Sequence, residues 1–369
     1  MFISFRNSTR KYSSVKLVES IPEFAPKSTI FSLIQPTGKI HLGNYLGAVR
    51  NWKDISDYKK PDSTVIFGTA DLHAITLPQD PDSLRKWRYE TLASLVSSGI
   101  NPEKCVLYHQ SSVPEHTELC WLLICLSSMG SLNRMTQWKL KTKQNHSASI
   151  FDEDILSNTR AGVLCYPVLQ AADVLIYKST HVPVGEDQSQ HLELCRNIAA
   201  TFNNTYKSDF FPLPQTLITP TKKILSLRNP EKKMSKSDPD ESSCIYVIDS
   251  PDVIKKKIRR AVTDSIQGPI YFDPEKRPGV SNLINIISGL TRKLVEDTVK
   301  ELSWVKDHKQ LKDHVSDILI HEFEGQRKTY KELMKDHSYI DEVSKKGTEK
   351  ARDIALKNLL DAKKLVGLV

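Results

Sequence analysis

Short apolar runs alternate with amphipathic segments along the first two hundred residues. Four β-prone runs are predicted as strands, over 29–34, 63–70, 104–110 and 180–185. Helical periodicity marks five further segments, over 42–54, 81–98, 115–128, 161–177 and 187–202. We expect Gly68 to end the second strand. Strands separated by helices of this length favour right-handed crossovers, so the pattern predicts an α/β fold with a parallel sheet.

The alternation fades after about residue 228. The chain beyond it is rich in lysine and helical in pattern, with Ser250 as an N-cap and Pro251 at the first helical position. A polar stretch over 143–160 interrupts the first part and is predicted as a loop. The pattern therefore predicts a sheet domain followed by a helical domain.

Charge is unevenly distributed along the chain. The formal net charge of +8 divides into +3 over residues 1–27, −1 over 28–220 and +6 over 221–369. A basic C-terminal part fits a polyanionic partner, although an ordinary lysine-rich helix surface would have the same composition. No apolar run approaches the about 18 residues that span a bilayer. The six cysteines include no C-x-x-C pair, so we expect reduced thiols rather than a disulfide framework.

The first 27 residues differ from the rest. They are rich in arginine and serine and contain no acidic residue before Glu19. This composition is typical of a mitochondrial transit peptide, and a disordered basic tail is the alternative. No apolar core of a secretory signal follows.

The stretch FSLIQPTGKIHLGNYLGA, residues 31–48, combines a strand, a glycine turn and a helix start. His41 and Asn44 are three residues apart, so they share one face of the first helical turn. Free N–H groups and the helix dipole at that end attract phosphate oxygens. The alternative is that the pair only caps the helix.

The stretch KKMSKSDP, residues 232–239, places Lys233 and Lys236 three apart, with Ser235 and Ser237 beside them. Two ammonium groups with two hydroxyls could hold a triphosphate. A solvated basic loop is the alternative.

Two acidic features complete the candidate chemistry. Gly185 ends a strand, and Glu186 and Asp187 open a helix, where they either accept from ribose hydroxyls or only cap the helix. Asp173 lies in the apolar segment LQAADVLIYK, where a carboxylate needs a partner. That partner is either a nearby donor such as Lys178 or the buried N–H of a ligand.

These stretches together resemble a known family. HLGN (41–44) and KMSKS (233–237) resemble the two signature motifs of class I aminoacyl-tRNA synthetases. With DLHAIT, AADVLIY, VPVGEDQSQH and AVTDS, in order from about residue 30 to 290, the chain is similar to the tryptophanyl-tRNA synthetases of bacteria and organelles. The departures are Leu33 where a small residue is common, Gln170 where Met is usual, and the long 143–160 insertion.

The resemblance implies four segments: a transit peptide (1–27), a Rossmann-type ATP- and tryptophan-binding catalytic domain (28–228), an all-helical anticodon-binding domain (229–334), and a C-terminal helix packing back on the catalytic domain (335–369). It also implies a homodimer, no membrane association, and a location in the mitochondrial matrix. The partners would be L-tryptophan, ATP with Mg²⁺, and tRNA(Trp), with no metal held by the protein itself.

The resemblance also assigns site residues by motif. Catalysis would rest on His41, Asn44, Lys233 and Lys236. The residues meeting ATP would be Gln35, Thr37, His41, Gly43, Asn44, Gly185, Glu186, Asp187, Ile224, Lys233, Met234, Ser235, Lys236 and Ser237. The tryptophan pocket would be lined by Phe31, His73, Tyr166, Asp173, Val182, Val184 and Gln188.

The implied reaction is tryptophan activation by ATP, followed by transfer to tRNA for mitochondrial translation. Asp173 would accept the indole N–H, and we expect Asp173→Ala to abolish activation and spare the fold. Three rival hypotheses stay open: a small nucleotidylyltransferase, a synthetase relative acting only in RNA binding or splicing, and a tyrosine-specific enzyme.

Overall fold

The computed structural model describes residues 15–17, 24–142, 148–218, 224–236 and 238–369. Within them, six strands form one sheet: β1 (Val15–Leu17), β2 (Thr29–Ile34), β3 (Thr64–Thr69), β4 (Val106–His109), β5 (His181–Val184) and β6 (Gln215–Ile218). Every pairing is parallel. The predicted α/β class and parallel sheet are therefore confirmed, and β1 and β6 are additional strands that the sequence pattern did not indicate.

Helices connect and follow the strands. They are α1 (Leu42–Asn44), α2 (Arg50–Tyr58), α3 (Asp71–Ala74), α4 (Pro81–Ser97), α5 (Glu115–Ile124), α6 (Met129–Asn133), α7 (Thr136–Lys141), α8 (Glu153–Asn158), α9 (Ala161–Leu175), α10 (Ser189–Thr205), α11 (Pro251–Arg259), α12 (Pro278–Thr291), α13 (Val295–Glu301), α14 (His308–Glu322), α15 (Glu324–Leu333) and α16 (Ser338–Val366). The segment from α11 onward is helical, as predicted. No helix in the described part of the chain is long and apolar enough to cross a membrane.

The strand order is β1-β6-β5-β2-β3-β4. From β2 the chain builds outward through β3 to β4, then returns to the other side of β2 for β5 and β6. The order therefore reverses between β2 and β5, where a doubly wound sheet opens a crevice at the carboxyl ends of its strands. The Ser32 hydroxyl donates to the carbonyl oxygen of Pro183 across this junction, at 2.8 Å.

Both faces of the sheet are buried. Ile30 and Phe67 point into one apolar core, while Phe31 and Ile66 point into the other. This alternation follows the two-residue period of a strand, and burial on both faces is characteristic of parallel sheets. Each such side chain contributes about 1.5–3 kcal/mol when fully buried.

Strand β3 does not end at Gly68, contrary to the prediction. Gly68 pairs with Leu33 on one side and Tyr108 on the other, and the strand continues to Thr69. A Cβ at this position would lie 2.3 Å from the carbonyl oxygen of Tyr108. The glycine therefore permits the close approach of β4 instead of ending the strand.

The segment 42–54 is helical, but not as one regular helix. Residues Tyr45–Val49 form a π-helical turn between α1 and α2. Such turns insert an extra residue into the helix and often occur at functional sites. Helices α14 and α12 contact this segment. Tyr45 Oη donates to Glu322 Oε1 of α14 at 2.6 Å, and Arg50 donates to the carbonyl oxygen of Leu290 of α12 at 2.8 Å.

The predicted loop over 143–160 is partly wrong. Residues 153–158 form α8, with Glu153 and Asp154 in its first turn, where carboxylates favour a helix start. The backbone of Ile150 donates to Asn133 Oδ1 at 2.9 Å. Residues 143–147 lie outside the described residues.

The fold uses part of the predicted leader. Val15–Leu17 pair in parallel with residues of β6, and Phe24 is buried against His181, with ring centroids 5.1 Å apart. The other residues before Phe24 lie outside the described residues. The predicted boundary at residue 27 therefore falls after positions that contribute to the sheet domain.

The last helix, α16, covers the edge strand β4. The middle of its buried face consists of the small residues Gly347, Ala351 and Ala355. Asn358 donates to the carbonyl oxygen of Ile176 at 2.7 Å, which joins the helix to the end of α9. At Gly347 an added Cβ would lie 1.8 Å from the carbonyl oxygen of Leu107. The helix therefore rests directly on the strand backbone.

We predict that Gly347→Ala destabilises the protein by about 1–3 kcal/mol, because the methyl group forces α16 away from β4. Gly325→Ala is the matched control: it is also helical, and no atom lies within 4 Å of its added Cβ. That change should be neutral or stabilise by up to about 1 kcal/mol. Urea unfolding midpoints measure both, and an unchanged midpoint for Gly347→Ala would contradict the packing described.

Candidate active site at the strand-order reversal

The turn after β2 forms the first wall of the crevice. His41 is the N-cap of α1, and its Nδ1 accepts from the backbone N–H of Asn44 at 3.2 Å. The neutral imidazole proton is therefore on Nε2, which is left as a donor. His41 and Asn44 do share one helical turn, as predicted, and His41 does cap the helix as well.

His41 is only 7% exposed. Burial, and then the positive charges of Lys236 and Lys233, lower the pKa of His41 to about 3. The ring is therefore neutral at pH 7 and acts as a hydrogen-bond donor, not as a cation. Gly43 lies against it, because a Cβ there would be 3.0 Å from His41 Cε1.

The segment after β6 forms the second wall. Leu225 and Lys233 make an antiparallel bridge, and the backbone N–H of Met234 donates to the carbonyl oxygen of Ile224 at 3.0 Å. The Met234 side chain is buried at 2% exposure, close to Gly43. This small hairpin brings the predicted lysine motif next to the turn after β2. Ser237 lies outside the described residues.

Lys236 joins the two walls. Its ammonium donates to Thr37 at the carbonyl oxygen (3.0 Å) and at Oγ1 (2.9 Å). Burial lowers the pKa of Lys236 to about 8, although the charges of Cys244 and Glu90 act in the opposite direction. Lys233 is exposed beside it. The predicted lysine pair is thus brought to the predicted His–Asn pair, with Gln35 and Thr37 exposed between them.

The third wall follows β5. Gly185 is succeeded by a 3₁₀ turn, Glu186–Gln188, and then by α10. Glu186 and Asp187 are exposed, so both carboxylates are available to a ligand. Gly185 lies close to the Asp187 carboxylate, because a Cβ there would be 2.7 Å from Asp187 Oδ1.

Asp173 lies deeper in the crevice, on α9, and is 2% exposed. Its Oδ2 accepts from His73 Nε2 at 2.7 Å, and its Oδ1 accepts from Gln110 Nε2 at 2.7 Å. His116 Nδ1 lies 2.8 Å from Oδ1. Each carboxylate oxygen therefore accepts one hydrogen bond, with His116 as a further close contact of Oδ1, and Oδ2 keeps a lone-pair direction for a further donor.

The charge of Asp173 is stabilised by these contacts. Burial alone raises the pKa of this carboxyl, but the hydrogen bonds and charges of His116 and His73 outweigh it and hold the pKa at about 2. The carboxylate is therefore ionised at neutral pH. Pairing with Lys178, the alternative considered above, is wrong, because that ammonium lies 3.8 Å from the centroid of the Phe210 ring.

The remaining predicted pocket residues lie on β2, on β5 and the turn after it, and on α9, the helix that carries Asp173. Phe31 and Val182 are buried on β2 and β5, and Phe31 stacks on Tyr177 with ring centroids 5.3 Å apart. Tyr166 is buried on α9, while Val184 and Gln188 are half-buried at the entrance. A flat apolar wall next to one buried carboxylate suits an aromatic ligand that carries an N–H group.

Three buried polar residues of this pocket were not predicted: Gln110, His116 and His191. His116 and His191 sit inside segments with helical periodicity, where a buried polar residue needs a partner. That signal was present for both histidines, but only the fold identifies their distant partners, Asp173 for His116 and Gln170 for His191.

Comparisons with known proteins agree with this geometry. A family model described as tRNA synthetases class I (W and Y) matches residues 25–324. The mitochondrial tryptophan–tRNA ligase of Saccharomyces cerevisiae is 52% identical over 345 residues, covering 92% of this chain and 91% of that protein. The corresponding protein of Schizosaccharomyces pombe is 42% identical, covering 94% and 98%.

Solved structures agree as well. Tryptophanyl-tRNA synthetase from Mycoplasma pneumoniae matches with a TM-score of 0.80 at 30% identity, covering 94% of this chain and 99% of that one. The Campylobacter jejuni enzyme, complexed with ADP and tryptophan, matches with a TM-score of 0.75 at 31% identity, covering 92% and 100%.

The contacts of Asp173 change the expected result for Asp173→Ala. Removing the carboxylate leaves the buried donors of His73 and Gln110 without their acceptor and His116 without its charged neighbour, so we predict a loss of about 3–5 kcal/mol in the free energy of unfolding. Asp57→Ala is the control, because Asp57 accepts from Lys53 and Lys104 at the surface and should cost less than about 1 kcal/mol. Denaturant unfolding followed by fluorescence compares them, and equal losses would contradict the role assigned to the buried network.

Proposed function

The chain belongs to the class I tRNA synthetases of the tryptophan and tyrosine group, and we propose that it joins L-tryptophan to tRNA(Trp) in mitochondria. The observation that carries the choice of amino acid is the buried, ionised Asp173, whose Oδ2 has one lone-pair direction left for an indole N–H. Its relatives named as mitochondrial tryptophan–tRNA ligases support the same choice.

The first step forms a bond between a carboxylate oxygen of tryptophan and the α-phosphorus of ATP. The bond from that phosphorus to the bridging oxygen breaks, and pyrophosphate leaves with the electron pair. The α-carboxyl group has a pKa of about 3.5, so the nucleophile is already ionised and needs no general base. Catalysis then depends on positioning and on stabilising charge on the phosphates.

The residues around the phosphates would supply that stabilisation. His41 presents its Nε2–H, and Asn44 lies in the same turn. Lys236 and Lys233 add positive charge from the opposite wall. A neutral histidine donor and two cations complement the charge that develops on the leaving pyrophosphate.

The rest of the nucleotide would lie along the crevice. Gly43, Gln35 and Thr37 lie on the side of the turn after β2, and Ile224, Met234 and Ser235 on the hairpin side. Glu186 and Asp187 would accept from the ribose hydroxyls, next to Gly185. Ser237 is assigned to the phosphates by motif alone.

Mg²⁺ would accompany ATP. Among the described residues, no group of three or more His, Cys, Asp or Glu side chains could hold a metal ion. In our proposal the phosphate oxygens of ATP therefore hold the ion, in keeping with the preference of Mg²⁺ for substrate phosphates.

In the second step, the 2′-hydroxyl of the terminal tRNA adenosine attacks the carbonyl carbon of the adenylate. The ester bond forms as the bond from that carbon to the phosphate oxygen breaks, AMP leaves with the electron pair, and the hydroxyl proton passes to the departing phosphate. The tRNA would dock mainly on the helical part, because residues 221–369 carry a net charge of +6.

We also propose a homodimer. Trp121, Ile75 and Met129 are 65%, 55% and 50% exposed. Trp121 and Ile75 line an apolar surface cavity of about 400 Å³ together with Leu72 and Leu169. An apolar surface of this kind suits a second copy of the chain. A sedimentation mass equal to one chain of 41.9 kDa would contradict this proposal.

The basic, acid-poor start fits a presequence for the mitochondrial matrix, which is the location we propose. We propose that the presequence is cleaved before residue 15, because β1 (Val15–Leu17) pairs with β6.

The proposed function predicts ATP–pyrophosphate exchange that depends on tryptophan and on none of the other nineteen common amino acids. The wild-type protein with 3-benzothienylalanine, which has sulfur in place of the indole N–H, should lose about 10⁴-fold in kcat/KM. 5-Fluorotryptophan, which keeps the N–H, is the control. Exchange with tyrosine would reassign the substrate, and exchange without any amino acid would identify a nucleotidylyltransferase.

The pKa of Lys236 predicts a pH dependence. Its value of about 8 lies below the ordinary 10.5, so the ammonium loses its proton as the pH rises through 8. We expect kcat/KM for ATP to be highest below pH 8 and to fall by about tenfold per unit above it. In Lys236→Arg the fall of kcat/KM above pH 8 should disappear, since arginine stays charged. Lys233→Arg is the control and should show the same fall as the wild-type protein.

A further inference from the structure

The stretch DLHAIT, residues 71–76, brings His73 to the pocket, but its first residue has no part in the site described above. Asp71 is the first residue of α3, directly after β3, and is only 4% exposed. A carboxylate buried to this degree needs donors around it. Its partners therefore show which parts of the fold it holds together.

The donors to Asp71 come from the 3₁₀ turn Gln110–Ser112, which follows β4. The backbone N–H of Ser111 donates to Oδ1 of Asp71 at 2.8 Å, and the hydroxyl of Ser111 donates to Oδ2 at 2.5 Å. One carboxylate on α3 thus accepts from both donors of a single residue in the turn. This double contact fixes the turn relative to α3.

The two segments that Asp71 joins carry the two hydrogen-bond donors of Asp173. His73 lies two residues after Asp71, and Gln110 is the first residue of the 3₁₀ turn. Gln110 also connects the segments itself, because its Oε1 accepts from the backbone N–H of Leu72 at 3.1 Å while its Nε2 donates to Asp173 Oδ1 at 2.7 Å. The junction of α3 with the turn therefore sets where both donors stand.

Arg88, on α4, contacts Asp71 from another element. Its Nε lies 2.8 Å from Asp71 Oδ2, and its side chain is 29% exposed, so water and salt screen this ion pair less than a pair at the open surface. Helix α3 has only four residues, which is too short to be stable by itself. The contacts of Asp71 are therefore an important part of what holds α3 in place.

The alignment of Asp173 depends on this junction. His73 donates to Oδ2 and Gln110 to Oδ1, so a shift of the turn relative to α3 would turn the carboxylate plane. Hydrogen bonds weaken steeply when donor and acceptor are misaligned. A rotated Asp173 would still be buried and charged, but its remaining lone-pair direction on Oδ2 would no longer point at the ligand.

We propose that Asp71 is a positioning residue for the choice of amino acid. By tying the turn after β4 to α3, it aligns Asp173 so that the free lone-pair direction meets the indole N–H, and Arg88 holds Asp71 in place. This inference rests on the proposed function and adds to it a residue that acts on specificity only through other side chains.

The test compares kcat/KM for tryptophan with kcat/KM for 3-benzothienylalanine in the exchange reaction, since the ratio measures the preference for an N–H group. Asp71→Asn keeps the shape of the side chain, but its amide nitrogen cannot accept a hydrogen bond. We expect the ratio to fall about tenfold or more, through the tryptophan value alone. The KM for ATP should stay unchanged, because the nucleotide residues lie on other segments.

Arg88→Met is a second variant at a partly exposed position, and it leaves Asp71 with both contacts to Ser111. The ratio should fall about threefold. Arg88→Lys, which keeps the charge, should retain the wild-type ratio. Arg85→Met is the matched control on the same helix, because Arg85 pairs with Asp82 at the surface, and it should change nothing.

Equal losses of kcat/KM for the two amino acids in Asp71→Asn would mean a purely structural role and would overturn the proposal. An unchanged ratio would overturn it as well. If Asp71→Asn does not fold, Arg88→Met decides, and a wild-type ratio in that variant refutes the proposal. The proposed function fails separately: a wild-type protein without tryptophan-dependent exchange refutes it before any variant is compared.

Discussion

The buried carboxylate of Asp173 is the constraint on which the arrangement of the tryptophan pocket depends. An ionised group at 2% exposure is tolerated only when donors surround it, and here His73 and Gln110 donate to it and His116 lies close to it. They come from α3, from the turn after β4 and from α5. The position of three separate elements relative to α9 is therefore tied to the charge that, in our proposal, selects the substrate.

The strand-order reversal places that charge near the nucleotide site. Strands β2 and β5 end beside each other, so the turn with His41 and the turn with Gly185 open into one crevice. The hairpin around Met234 covers it, and Lys236 joins hairpin and turn through Thr37. Polarity then varies along the crevice: donors and cations lie beside His41, and a single buried carboxylate lies on α9. In the proposed function, this difference in polarity orients the amino acid before any chemistry occurs.

Local patterns were sufficient for much of the fold and of the site. The four predicted strands and the start of α11 at Ser250 and Pro251 follow from periodicity and capping, which act over a few residues. Other features do not follow from local pattern. Gly68 suggests the end of a strand, but a glycine is needed there because the carbonyl oxygen of Tyr108, forty residues away, leaves no room for a Cβ. Likewise, motif resemblance indicated Asp173, but its partners His116 and Gln110 become visible only when α5 and β4 are placed beside α9.

The central claim is that the free lone-pair direction of Asp173 accepts the indole N–H of tryptophan. Proton–nitrogen NMR of tryptophan labelled with ¹⁵N at the indole nitrogen, bound to the wild-type protein, observes that bond directly. The account predicts a downfield shift of the indole proton on binding and slow exchange of this proton with water, as for a buried hydrogen bond to a carboxylate. An indole signal that keeps its free-solution shift and exchanges freely in the complex would contradict it.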